Sequence, residues 1–336
     1  MKEIFIIAVV VSFLTSFFIL PSWMRKAKRV GLMWEDMNKF DKKKVAGSGG
    51  LAVITGFILG IFVYVALNTF LFMTSANTLE IFALTASILI LAGVGIIDDL
   101  LGWKFGGLSK KFRLLMCVFA SIPLVIINVG DSTVHLPFLG LVNLGIFYAL
   151  FIIPLGITGA ATTFNFLAGF NGLESGQGII MITALSLVAY FTGSLWVMFI
   201  GICMIAALLP FYLMNKFPAR IFPGDVLTYP LGGLIAIMAI LGNFEKIAFF
   251  FFIPYICEVF LKLRGKLLAQ SFGKPNPDNT LELPYPKIYG LEHLSIAILK
   301  RMKKQVYEKD VVYLIYAFQL LVIIAGLIIF KASIFA

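Results

Sequence analysis

The chain has 336 residues, of which 60% are hydrophobic and only 13% charged, with a mean hydropathy of +1.00 and a formal net charge of +10. These values lie outside soluble globular usage and leave no stretch able to build a water-soluble domain with its own core, so 1–336 reads as a single integral membrane unit. On such a protein the placement of the positive charge says more than its total, and no nucleic-acid partner is expected.

A membrane-crossing helix needs about 20 apolar residues. In chain order, such runs fall near 3–22, 49–73, 79–97, 112–129, 139–160, 177–192, 195–213, 226–242, 244–262 and 311–332. The first, in MKEIFIIAVVVSFLTSFFILPSW, is too long for a signal-peptide core and reads as a retained helix. Cys117, Cys203 and Cys257 lie inside apolar runs, without metal spacing, and read as packing residues.

Lys and Arg sort by loop. The 23–48 segment carries eight, 98–113 four, 214–225 two and 262–310 ten, leaving only Lys2, Lys246 and Lys331 for the other side. The positive-inside rule then predicts an all-α polytopic protein of about ten transmembrane helices. Both termini are expected to be extracytoplasmic, with the four basic loops in the cytoplasm and 262–310 as a long loop over the site.

This sorting gathers the unusual polar residues on one face. Asp98 and Asp99 end the third run, where the helix dipole already disfavours negative charge, so they need cations, either the basic residues that follow or a divalent metal. In FNFLAGFNGLESG, Asn165 ends a helix, and a break at Gly169 and Gly172 lets Asn165 and Asn171 converge. Neutral amides suit a phosphate and nucleobase site, because the carbonyl can ligate Mg²⁺ and the amine can donate, although a polar helix-ending turn explains the same residues. Asp225 opens the eighth run after Pro223 and Gly224. It reads both as a helix N-cap and as part of an anion-binding helix start. Glu258 and Lys262 read as an i,i+4 ion pair near the inner interface, and His293 has no partner at metal-ligand spacing.

In this order the motifs resemble the polyprenyl-phosphate N-acetylhexosamine-1-phosphate transferase superfamily, over most of the chain from GLMWEDMNK (31–39) onward. GIIDDLLGW resembles its paired-aspartate motif and FPARIFPGDVLTYPLGG its FxGD segment. FNFLAGFNGLESGQ is similar to the asparagine loop of the UDP-GlcNAc–dolichyl-phosphate branch, archaeal or eukaryotic in style.

The resemblance implies a ten-helix fold with a cytoplasmic active site, in the plasma membrane of a prokaryote or the endoplasmic reticulum of a eukaryote. It implies Mg²⁺, or Mn²⁺, held by Asn165 and Asp225 with the sugar-nucleotide diphosphate. Asn171 and the Phe222–Gly224 backbone would hold the uridine, Asp98 and Asp99 would lie beside the lipid phosphate, and Asp36, Asn38 and Lys39 match a D-x-N-K stretch of the substrate site. Arg113 stands where the family usually has a lysine, with Lys110 and Lys111 as neighbouring substitutes, while Gly102 and Gly47 replace an asparagine and a glutamate. In place of the family's basic sugar-phosphate loop stands QSFGKPNPDNTLEL, with Lys274 its one basic residue.

The implied reaction is Mg²⁺-dependent transfer of GlcNAc 1-phosphate from UDP-GlcNAc to a polyprenyl (dolichyl-type) phosphate, by a monomer or a homodimer. The alternatives are another UDP-amino sugar or, in a different class, a transporter or flippase. Against the latter, the acids sit at helix ends rather than at the midplane.

Overall fold

The computed structural model of the protein describes residues 2–136 and 140–335. The polar loop residues are positioned by a helical frame, with α1 (Lys2–Val30), α2 (Gly50–Phe70), α3 (Thr78–Phe105) and α4 (Lys110–Ile126) in the first half. A π-helical turn, Tyr148–Ile152, leads into α5 (Ile153–Phe164), followed by α6 (Leu173–Phe191), α7 (Leu195–Asn215) and α8 (Asp225–Leu241). The last part holds α9 (Glu245–Phe251), α10 (Ile253–Arg264), α11 (Leu291–Met302), α12 (Glu308–Ile329) and the short α13 (Lys331–Ile334).

Among the described residues, α1, α2, α3, α6, α7 and α12 contain stretches long and apolar enough to cross a membrane, which makes this an integral membrane protein. The α5 segment and α8 are apolar but shorter. Every expected run therefore meets a helix, but six of them reach full length.

Three boundaries differ from the hydropathy reading. Helix α1 continues past Pro21 to Val30. The run at 139–160 opens outside the described residues, and its helix begins only at the π-helical turn, after a strand at 140–143. The 244–262 run breaks at Phe252, because Pro254, in the first turn of α10, cannot donate to a preceding turn. Short hairpins also interrupt the all-α expectation. β1 (Met33–Glu35) pairs with β2 (Lys44–Ala46), β3 (Thr133–Leu136) with β4 (Gly140–Asn143), and β5 (Lys274–Pro275) with β6 (Leu281–Glu282), all antiparallel. Strands of two to four residues are too short for alternation to register in a sequence.

The centre of the frame is α8, where every residue from Val226 to Ile240 is buried. A helix that is apolar all round needs partners all round, and α8 has α3, α5, α2 and α6. Its approach to α3 depends on Gly95: a Cβ there would sit 2.3 Å from the Asp225 carbonyl oxygen and 2.5 Å from the Val226 nitrogen. Backbone atoms cannot give way as a flexible side chain can. Gly95→Ala is therefore expected to push the start of α8 away from α3 and to lower turnover about a hundredfold, since displacements near 1 Å cost that much. A product-formation assay on folded variant checks this.

Candidate active site

The contact at Gly95 decides what the aspartate pair does. Asp99 lies one helical turn later on the same face, so it too meets the start of α8. Its Oδ1 accepts the Asp225 N–H at 2.7 Å, and its Oδ2 accepts the Val226 N–H at 3.4 Å and the Ser48 hydroxyl at 2.8 Å. The side chain that caps α8 thus comes from another helix. Gly224 stands at the N-cap position and Asp225 is the first helical residue, which corrects the reading of Asp225 as an N-cap. Gly224 has φ +73°, and a Cβ on it would meet Asp99 Oδ2 at 2.2 Å, so glycine is required there.

Consecutive helix residues point about 100° apart, and Asp98 accordingly faces α4 and the turn before it. Its Oδ1 accepts the Leu108 N–H at 2.5 Å and its Oδ2 accepts from Arg113 Nη1 at 2.9 Å. Ser109 caps α4, accepting the Phe112 N–H at 3.3 Å, and so holds Arg113 one turn inside the helix. Of the three candidate bases, only Arg113 joins the acids. Lys110 is exposed and donates to the Leu267 carbonyl at 3.1 Å, and Lys111 is exposed on the same turn.

Arg113 also lies 3.7 Å from Asp225 Oδ2 and 3.4 Å from the Tyr229 hydroxyl. The Asp98 and Asp225 carboxyl groups thus meet at Arg113 from α3 and α8, and Asn165 ends α5. Two carboxyl groups therefore share one guanidinium, and the second is left to be answered by a proton or a cation. Among the described residues no group of three or more His, Cys, Asp and Glu is arranged to hold a metal. The donors present, a partly open carboxylate and an amide carbonyl, suit a hard cation that takes its remaining ligands from substrate phosphates and water, as Mg²⁺ commonly does.

The FxGD turn is pinned by the segment before α2. Phe222 N–H donates to the Ala46 carbonyl at 2.8 Å, Phe222 C=O accepts the Gly49 N–H at 2.9 Å, and Pro223 C=O accepts the Gly50 N–H at 2.9 Å. The Phe222 backbone is therefore spent on the fold, leaving the half-buried ring and the Gly224 N–H, which donates to nothing among the described residues. Gly47, in the same segment, has no room for a side chain, because a Cβ there would lie 1.7 Å from the Trp34 ring.

A second polar cluster forms around Asn171. The turn bends at Gly169 (φ +102°) and Gly172 (φ +88°), as the sequence suggested, and Asn171 takes its partners from the distant Asp36 and Glu308. Asn171 Nδ2 donates to Asp36 Oδ2 at 3.0 Å, and its backbone N–H donates to Glu308 Oε1 at 2.7 Å. Asn38 Nδ2 donates to the Gly169 carbonyl at 2.8 Å, while its Oδ1 accepts the Gly273 N–H at 3.0 Å. Lys39 pairs with Glu308, sits 3.6 Å from Asp36 Oδ2, and lies 4.5 Å over the Phe217 ring. Sequence reasoning passed over Glu308. Its signal is an acid at the mouth of the last apolar run, a position that an acid's preference for helix N-termini accounts for without any long-range partner.

Above this cluster, Lys274 borders a cavity of about 370 Å³ with Met37, Lys39, Phe40, Phe272 and Tyr285. A larger one, about 510 Å³, is lined by Asn77, Glu80, Asn128, Asp131 and Asn243 and does not include Asp98, Asp99 or Asp225. Glu258 and Lys262 pair at 3.4 Å as expected, but in the interior, where Lys262 also reaches Ser271 and Glu258 accepts the Leu291 N–H at 2.6 Å. His293 is fully buried, accepts weakly from the Tyr289 N–H at 3.4 Å and meets the Phe272 carbonyl at 3.3 Å, so it braces the loop; burial lowers its pKa. Burial, then the neighbouring Glu258, raises that of Glu292.

The profile described as Glycosyl transferase family 4 matches residues 81–243. A Saccharolobus solfataricus protein, provisionally named UDP-N-acetylglucosamine–dolichyl-phosphate N-acetylglucosaminephosphotransferase, is 37% identical over 283 residues, spanning 82% of this chain and 84% of its own. The Dictyostelium discoideum protein of that name is 27% identical over 281 residues, 72% of this chain and 67% of its own. A Bacillus subtilis protein named, with similar reserve, as an undecaprenyl-phosphate N-acetylglucosaminyl 1-phosphate transferase is 28% identical over 281 residues, 81% of this chain and 74% of its own.

Proposed function

The chain belongs to glycosyl transferase family 4, and from that premise we propose that it transfers GlcNAc 1-phosphate from UDP-GlcNAc to a dolichyl-type polyprenyl phosphate, releasing UMP. The observation that carries the reading is the meeting of Asp98, Asp225 and Arg113 at adjoining helix ends, where a lipid phosphate at the membrane surface can reach them. Loop charge supports ten crossings with these ends on the cytoplasmic side.

In the reaction, an oxygen of the lipid phosphate attacks the β-phosphorus, and the bond from that phosphorus to the UMP oxygen breaks. A phosphate monoester is largely ionised near neutral pH, so alignment and charge neutralisation matter more than a strong base. Arg113 uses one nitrogen on Asp98 and Asp225, and its other N–H groups remain for phosphate oxygens. Asp98 orients that guanidinium. Asp99 takes the first two N–H groups of α8 and so fixes its start, leaving the Gly224 N–H to face the diphosphate. Asn171 and the Phe222 ring receive the uridine, and Lys39 and Lys274 face the sugar-side cavity. Asn165 and Asp225 would hold Mg²⁺, or Mn²⁺, which supplies Lewis-acid stabilisation of the diphosphate charge.

The test supplies membranes containing the protein with polyprenyl phosphate and UDP-GlcNAc. UMP release is expected to need both substrates, to stop with EDTA and to return with Mg²⁺. Uptake of intact UDP-GlcNAc into sealed vesicles without UMP release would replace this reading by a transporter.

A further inference from the structure

Asn171 meets its neighbours with one end of its amide already committed. Its Nδ2 donates to Asp36 Oδ2 at 3.0 Å, its backbone is tied to Glu308 at 2.7 Å, and the residue is 4% exposed. A carboxylate can only accept, so the amide cannot turn over without setting oxygen against oxygen. Nor can Asp36 swing aside freely. Its Oδ1 accepts the Asn38 N–H at 3.2 Å, and Lys39 stands 3.6 Å from its Oδ2. Among the described residues nothing donates to Asn171 Oδ1, and that oxygen is not one of the sealed, unpaired atoms of the interior. Asn171 therefore holds its amide in one orientation, with one of its two N–H groups spent on Asp36 and its oxygen offered to a ligand as an acceptor.

In a uridine the base has a single N–H, at N3, so the fixed Asn171 oxygen can accept a hydrogen bond from the base only there. A cytosine in the same pose turns a lone pair toward Asn171 Oδ1, leaving two acceptors facing each other, and sites with mismatched buried polar groups reject such ligands strongly.

We propose that Asp36 is a specificity-determining residue that acts through Asn171: by holding the amide nitrogen it fixes an acceptor toward N3 of the base and so selects uracil nucleotides over cytosine nucleotides. The inference rests on the reading that Asn171 meets the uridine, and it makes Asp36 a positioning residue that does not itself touch the base. Glu308 has a different part, since it fixes the Asn171 backbone without choosing the amide's orientation.

The test uses the full chain in detergent and measures binding of UMP and CMP by calorimetry, alongside their competition against UDP-GlcNAc turnover. The parent is expected to prefer UMP by at least about a hundredfold. Asp36→Asn, whose own amide can face Asn171 either way, is expected to reduce that ratio at least about tenfold. Asn171→Ala should collapse the ratio similarly, and Asp36→Asn added to it should change the ratio no further. A ratio in Asp36→Asn equal to the parent's overturns the proposal, as does a second full loss in the double variant. Should Asp36→Asn fail to fold, an unchanged ratio in Asn171→Ala overturns it. A parent that prefers UMP yet forms no product removes the transferase reading and leaves base selection standing. A parent that turns over, with an Asp36→Asn variant as selective as itself, removes the inference alone.

Discussion

Asp225→Ala is expected to lower UMP release at least about a thousandfold, the scale seen when a group that stabilises developing charge is removed, while leaving the protein folded. The two halves of that expectation come from different atoms. The fold uses the Asp225 backbone, whose N–H is held by Asp99, and alanine keeps that N–H. Arg113 keeps its 2.9 Å contact with Asp98, so no charge is stranded. What disappears is the partly open carboxylate 3.7 Å from Arg113, the proposed metal ligand. Steady-state UMP release together with a melting curve checks both halves, and wild-type turnover in the variant would falsify the metal assignment.

The second large effect is on stability. Glu308→Ala removes a carboxylate that answers Lys39, the Asn171 N–H and, at 3.4 Å, Asn38 Nδ2. The glutamate side chain is 1% exposed and that of Lys39 13%, so neither is rescued by water. Lys39 would be left with Asp36 at 3.6 Å and the face of Phe217. Breaking a buried pair by deleting one partner typically costs about 3–5 kcal/mol. A clear fall in the unfolding midpoint in detergent is expected, with Glu308→Gln falling less because it still accepts from Asn171. An unchanged midpoint would show that the network does not hold α12 to the loops.

Much of the candidate site could be read in advance because polar residues at the ends of apolar runs are few and costly. Asp98, Asp99, Arg113, Asn165, Asn171 and Asp225 stand out on that ground, and the D-x-N-K stretch on its motif. Their division of labour could not be read. Asp98 and Asp99 look alike in GIIDDLLGW, yet one holds an arginine and the other caps a helix. Glu308 stood in view as an acid opening a helix, and nothing local joins it to Asn171.

Local order therefore established the membrane class, the helices, the sorted loops and the inventory of acids and amides. Apolar run length, charge asymmetry and motif spacing are properties of short stretches of chain, and they survive without any fold. The pairing of those groups was settled by packing. Asp99 meets α8 across 126 residues, Glu308 meets Asn171 across 137, and Asn38 meets Glu308 across 270. Such contacts exist only where helices approach closely, as α3 and α8 do at Gly95, and no periodicity along the chain encodes which distant donor will face which acceptor.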